Sequence, residues 1–411
     1  MIELIFFFFI FQIINIENII GASFVVAGFP IWTWVIYLFY LMSYGSVLLY
    51  LLEGNDRKGM LNCTFFFAFS VLCVHIVSVV YGASITTILR ESYHYVLPIF
   101  MYPVLCRCKY RFASFWKFVK FLIGVNLIIS VGFVTGLLGT LTNTSYISML
   151  SRSSTLIDGG LGIVSLSIGL YCLFYDNDIY SKKESWFFII AGVIITLSGQ
   201  SRARLLTAIL IVILFYFMSV VGKNRNSGKR FSWLSAILLF SIVGICISIF
   251  LSENENSLIS QIFDRFSLIG TDNSSIYRVY ERETQLSIFK AHPIFGGGWG
   301  AYDNVSVQDI YGVAKDVNNH NMFTSILGFG GVILGLAYIS WFVKIMKGTI
   351  RRFSTNSIER LNIILLVSIL VLSYSSAGFG KSSMILAITI IYVNMIHYDN
   401  RGTRKGWNSL K

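Results

Sequence analysis

Charge and proline are both scarce in this chain: only 13% of its residues are charged, and only four of the 411 are proline. A soluble globular domain is roughly a quarter charged, so this composition excludes an ordinary water-soluble fold. The 55% apolar share and mean hydropathy of +0.71 point the same way. Cysteine is also sparse. The six cysteines, at 63, 73, 106, 108, 172 and 246, all fall in apolar runs or beside basic connections, which leaves no disulfide framework elsewhere. Cys106-Arg107-Cys108 has the wrong spacing for a zinc knuckle. The opening "MIELIFFFFIF" lacks the basic n-region of a signal peptide and carries a glutamate there, so the first apolar run reads as a retained span.

What the chain has in abundance is apolar runs. Twelve lie near 4–21, 30–52, 61–82, 94–106, 113–138, 159–175, 186–200, 203–221, 231–251, 321–343, 361–378 and 382–397. Most are of the length needed to cross about 30 Å of hydrocarbon as a helix. The runs at 94–106 and 186–200 are short, which points to tilt, a break, or extension through charged neighbours. The expected fold is therefore an all-α polytopic membrane protein of about twelve transmembrane helices. Residues 1–251 would hold helices one to nine, 252–320 one large loop, and 321–411 helices ten to twelve with a tail.

Basic residues set the orientation. In a twelve-span model, 22 of the 32 Lys and Arg fall on one side, the side that the positive-inside rule assigns to the cytoplasm together with both termini. The net charge of +12 is thus a consequence of topology, and no nucleic-acid partner is needed to explain it. Ten basic residues break the rule and face outward: Arg90, Arg152, Arg202, Arg204, Arg265, Arg278, Arg282, Lys290, Lys315 and Lys381.

Three stretches gather the outward polar chemistry. In "QSRARLL", Arg202 and Arg204 stand at the edge of a span, where snorkelling accounts for one of them. Two positions apart on a helix they point in different directions, so at least one faces protein or a polar cavity and calls for an anionic partner. In the large loop, "SSIYRVYERETQLSIFKAHPIFGGGWG" predicts a helix from about Ser275 to Ala291, ended by Pro293 and the glycines. Arg278 and Arg282 share one face of it and could meet a single anion, or pair with Glu281 and Glu283 as a solvated face. The run Gly296, Gly297, Gly298 and Gly300 lacks the lysine and preceding strand of a P-loop; it reads better as a turn that lets backbone pass close to a helix. In "DVNNHNMFTSILGFGG", His320 opens the next span among Asn318, Asn319 and Asn321. On residue type alone a histidine there is more often structural than catalytic, yet neutral imidazole can act as a base at pH 7.

"QSRARLL" at a span edge, an arginine upstream of "HPIFGGG" in a long outer loop, and "NNHN" followed by "GFGGVILGL" together resemble the O-antigen ligase and polymerase superfamily. The resemblance covers roughly residues 190–340 by motif and the remainder by hydropathy. It implies a C-type glycosyltransferase architecture with the large loop in the periplasm of a bacterial inner-membrane protein. It also implies a glycan donor on undecaprenyl diphosphate, and no metal or other cofactor. By position, Arg202 and Arg278 would hold the diphosphate, and His320 would take the proton of the acceptor hydroxyl. Arg204, Arg282, Asn319, Asn321 and, more weakly, Arg90 would contact phosphate or sugar. A chain-length regulator and a flippase would be expected partners.

The function this implies is a polysaccharide (O-antigen) polymerase, joining lipid-linked repeat units. A ligase delivering the same glycan to lipid A core is the nearest alternative. The outer surface beyond these shared motifs gives no second clearly cationic patch for a phosphorylated core acceptor, which favours the polymerase. A lipid-linked oligosaccharide flippase would place charges at mid-membrane in both halves of the chain, a pattern absent here.

Overall fold

A computed structural model describes residues 25–26, 29–53, 61–107, 112–134, 159–174, 180–198, 202–221, 273–302, 305–308, 314–316, 321–352 and 358–375. The helices are α1 (Ile31–Glu53), α2 (Leu61–Val80), α3 (Ile85–Arg107), α4 (Phe112–Val134) and α5 (Gly159–Phe174). They continue with α6 (Lys182–Ser198), α7 (Arg202–Val221), α8 (Asn273–Ala291), α9 (Met322–Arg352) and α10 (Ile358–Ser375). Two short antiparallel ribbons complete the described residues. In one, β1 (Val25–Val26) pairs with β2 (Phe29–Pro30); in the other, β3 (Ser306–Gln308) pairs with β4 (Ala314–Asp316).

Nine of the expected apolar runs coincide with helices; those at 4–21, 231–251 and 382–397 lie outside the described residues. The two short runs are extended by charged neighbours. α3 starts at Ile85 because Ser84 caps it, its hydroxyl accepting from the Thr87 amide at 3.1 Å, and the helix then runs through Arg90 and Glu91. α6 starts at Lys182 because of a reciprocal cap: Ser181 Oγ accepts from the Glu184 amide at 3.3 Å, and Glu184 accepts from the Ser181 amide at 3.0 Å. Lys120 of α4 closes the same cap by an ion pair with Glu184.

The surface is inverted relative to a soluble protein. Large apolar side chains such as Leu38, Leu48, Phe65, Leu72, Ile128 and Ile339 are exposed, whereas Ser70, Ser130, Ser165 and Asn362 are buried. Water would penalise so much exposed apolar area, and lipid would not. Among the described residues two helices, Leu61–Val80 and Met322–Arg351, are long and apolar enough to cross a membrane by length and composition. The helical architecture fits a membrane protein.

Packing is organised around α9, which lies against α2, α8 and α10, while α10 also contacts α5 and α7. Where α5 meets α6 the two backbones nearly touch. A Cβ on Gly192 would stand 2.6 Å from the Leu166 amide, and one on Gly169 2.8 Å from the Ile189 amide. Small residues at such a seam let dispersion forces and polar backbone contacts act between helices where no hydrophobic gradient drives them together.

Candidate functional site at the α8–α9 junction

α9 is not continuous. Gly331 has φ 60 and ψ −156, a conformation open in practice only to glycine, so the helical ladder stops there and frees carbonyls before it and amides after it. The segment after α8 occupies the gap. Gly297 and Gly298 donate their amides to the carbonyls of Gly328 and Phe329 at 2.8 and 2.9 Å. In return, Val332 and Ile333 donate to the carbonyls of Pro293 and Ile294 at 2.9 and 3.3 Å. Close approach is the reason for the glycines: a Cβ on Gly296 would collide with the Phe329 carbonyl, and one on Gly298 would stand 2.9 Å from Ser78 of α2. The expectation of a turn passing close to a helix holds, since the Gly297 and Gly298 amides are spent on protein carbonyls.

The next residue anchors the segment in the core. Trp299 is buried, its amide donates to Ser78 Oγ at 2.6 Å, and its indole stacks at a tilt on Phe329 with centroids 5.0 Å apart. The indole also lies against His75 of α2, Nε1 to Nδ1 3.3 Å, and the other ring nitrogen of His75 is 3.1 Å from the Tyr44 hydroxyl of α1. Tyr302 follows, donating to the Ser325 carbonyl at 3.4 Å. Burial pushes its hydroxyl well above the usual tyrosine range, which keeps it a neutral donor.

α8 is thereby held across the first turn of α9 and the end of α10. Gln285, fully buried, accepts a hydrogen bond from the Thr324 hydroxyl. Asn321 is the N-cap of α9: its amide oxygen accepts from the Phe323 and Thr324 amides at 3.0 and 3.2 Å. Arg282 donates from Nη1 to the Tyr374 hydroxyl of α10 at 3.0 Å and lies 5.9 Å from that ring's centre. Its Nε donates to the Arg278 carbonyl at 3.2 Å.

Of the arginines singled out from sequence, Arg278 is exposed on α8 and Arg282 is half-buried one turn further on. They share a helix face, as their spacing implies, and the acid next to Arg282, Glu281, is turned into the core. Arg202 is the first residue of α7 and Arg204 lies half-buried in its first turn; α7 packs along α10, the helix that receives Arg282. Arg90 is exposed on α3 and bonds its neighbour Glu91 at 3.2 Å. His320 and Asn319 lie outside the described residues, as does the side chain of Arg202. Tyr374, Gln285 and Trp299 are the participants that sequence reasoning missed. Each acts through a partner distant in the chain, and nothing local marks it. Among the described residues there is no cluster of three or more metal-ligating side chains.

The junction falls inside the segment for which a relationship to known proteins is found. Residues 186–339 match a family model described as O-antigen ligase. A search of the curated proteins found no match. Members of the matched family are glycosyltransferase-like enzymes that handle lipid-linked polysaccharide. The matched segment runs from α6 through α8 and past the break in α9, taking in all three motif blocks, and over that segment the chain is similar to the O-antigen ligase family.

Proposed function

We propose that the protein is a polysaccharide polymerase of the bacterial inner membrane. It would transfer a glycan from undecaprenyl diphosphate to a sugar hydroxyl of another lipid-linked repeat unit at the periplasmic face. The observation that carries this reading is the docking of α8, with Arg278 and Arg282 on one face, over the start of α9 and the end of α10. His320 immediately precedes Asn321, the cap of α9.

In the reaction, Arg202 and Arg278 neutralise the diphosphate and stabilise it as leaving group, bidentate guanidinium contacts being suited to that charge. His320 accepts the proton of the acceptor hydroxyl. The acceptor oxygen bonds to the anomeric carbon as the bond from that carbon to the diphosphate oxygen breaks, and undecaprenyl diphosphate departs with its electron pair. Neither a nucleotide nor a metal enters. Arg204, Arg282, Asn319 and Asn321 would contact phosphate or sugar, with Arg90 of α3 as a weaker contact of the same kind. The large loop, both polymer-forming lipids and the site face the periplasm, with both termini in the cytoplasm; a flippase would supply the substrate and a chain-length regulator would end growth.

The test is incubation of purified protein with a lipid-linked repeat unit, without nucleotide or metal. A ladder of longer lipid-linked glycans is the expected outcome. Product formed only when core lipid is added would replace the polymerase by a ligase, and no new glycosidic bond from either would refute the transferase reading. His320→Ala and Arg278→Ala are each expected to lower turnover by about 10² to 10⁴ while the protein elutes as a folded particle. Full activity in His320→Ala would remove the proposed base.

A further inference from the structure

Beyond the arginine face of α8, its far end opens onto a cleft of about 310 Å³ with Tyr81, Ser287, Ile288, His292, Gly297 and Ala301 in its wall. Tyr81 follows directly on α2 and is 57% exposed, and its hydroxyl lies 3.3 Å from His292 Nδ1. The two rings form a corner, centroids 5.4 Å apart and planes inclined at 53°. We infer that this cleft is a binding subsite for one uncharged sugar ring of the glycan, remote from the diphosphate. The inference rests on the transferase reading for its biological substrate, although sugar binding itself does not need that reading.

Five observations carry it. The wall has aromatic faces for the apolar C–H side of a pyranose, and the volume lies at the small end of the range for ligand sites, about 300 to 1,000 Å³. The polar groups suit hydroxyls: in either tautomer the Tyr81–His292 pair keeps both a donor and an acceptor beyond its own hydrogen bond. Ser287, whose hydroxyl donates to the Thr284 carbonyl at 2.7 Å, likewise keeps acceptor capacity. No lysine or arginine stands among these wall residues, which disfavours a phosphate. The cleft is also preformed. A Cβ on Gly297 would stand 2.8 Å from the Ala301 Cβ and 2.9 Å from Ile288, inside the wall, and the Gly297 amide is fixed to α9.

Distance decides which sugar. His292 lies roughly 20 Å along α8 from Arg278 and about 10 Å from Gln285, which meets the first turn of α9, at about 1.5 Å per residue; that is more than one sugar ring, so the bound ring is not the one undergoing transfer. Binding energy from such a remote contact aligns the reacting end and selects among glycans.

The test uses the full-length protein in nanodiscs and the lipid-free repeat-unit oligosaccharide released by mild acid from the host's own polysaccharide. Saturation-transfer NMR should show sugar protons saturated by wild type and at least fivefold less by Tyr81→Ala. Ser287→Trp fills the cleft from an exposed position of α8 and so keeps the fold; it should abolish the signal and raise KM for the lipid-linked unit about tenfold, with kcat within twofold. Wild-type saturation unchanged in Ser287→Trp overturns the subsite, even if the glycan ladder persists and the transferase reading survives. Saturation lost in Ser287→Trp, in a protein that makes no ladder, keeps the subsite and removes the transferase reading instead.

Discussion

The α5–α6 seam and the α8–α9 junction are both built on glycine, and they use it in opposite ways. At the seam, Gly162, Gly169 and Gly192 sit in unbroken helices and remove bulk so that two complete backbones can touch. At the junction, Gly296, Gly298 and Gly331 have positive φ and interrupt regular structure, so that one segment's amides and carbonyls pair with another's. The first arrangement gains contact while keeping every helical hydrogen bond. The second gives up part of a helical ladder, which inside a membrane is tolerated only if each freed group finds another partner. The exchange between residues 293–298 and 328–333 supplies those partners. The seam is therefore a matter of fit, whereas the junction is a shape that few other residues could adopt.

The comparison can be broken most sharply at Gly331. Gly331→Ala adds left-handed strain and a collision with the Ile294 carbonyl, and should cost at least about 3 kcal/mol in a detergent-unfolding titration. An unfolding midpoint equal to wild type would show that the break is not a requirement of the sequence. Gly192→Ala acts on fit alone. It should destabilise by about 1 to 3 kcal/mol in the same titration, yet leave kcat of the folded fraction within about twofold, because no proposed substrate contact lies on that seam.

A smaller effect separates two roles of Asn321. Asn321→Ala should lose about 1 kcal/mol through the missing cap, while Asn321→Asp, also a good cap, should keep wild-type stability. If activity falls in Asn321→Asp with stability intact, the side chain does more than cap. The smallest effect is expected from Tyr374→Phe, which keeps the ring beside Arg282 but removes its acceptor oxygen. The loss should be about 0.5 to 1 kcal/mol, read as a two- to fivefold fall in glycan synthesis, and an unchanged rate would mean that Tyr374 does not help to place α8.

Run length made the helices legible, because the membrane imposes one length scale on every apolar segment. Where boundaries were misplaced, the cause was local chemistry that hydropathy ignores. α3 begins nine residues before the expected run since Ser84 caps it, and α9 continues through Lys344 and Lys347 to Arg352 because lysine and arginine are good helix formers whatever their charge. The shared face of Arg278 and Arg282 was legible from spacing, and the close approach of the glycine turn from composition. Their mounting was not. Trp299 meets Ser78 across 221 positions and Arg282 meets Tyr374 across 92, and neither pairing leaves a periodic trace in the chain.

The bonds that lock residues 293–298 into α9 are all between main-chain atoms, and main-chain atoms are the same whatever side chain a residue carries. Tyr81, Ser287 and His292 can therefore be exchanged for other residues while the scaffold beneath them stays put. An engineer wishing to change which glycan this protein accepts has a place to do it without disturbing Arg278, about 20 Å along α8 from His292.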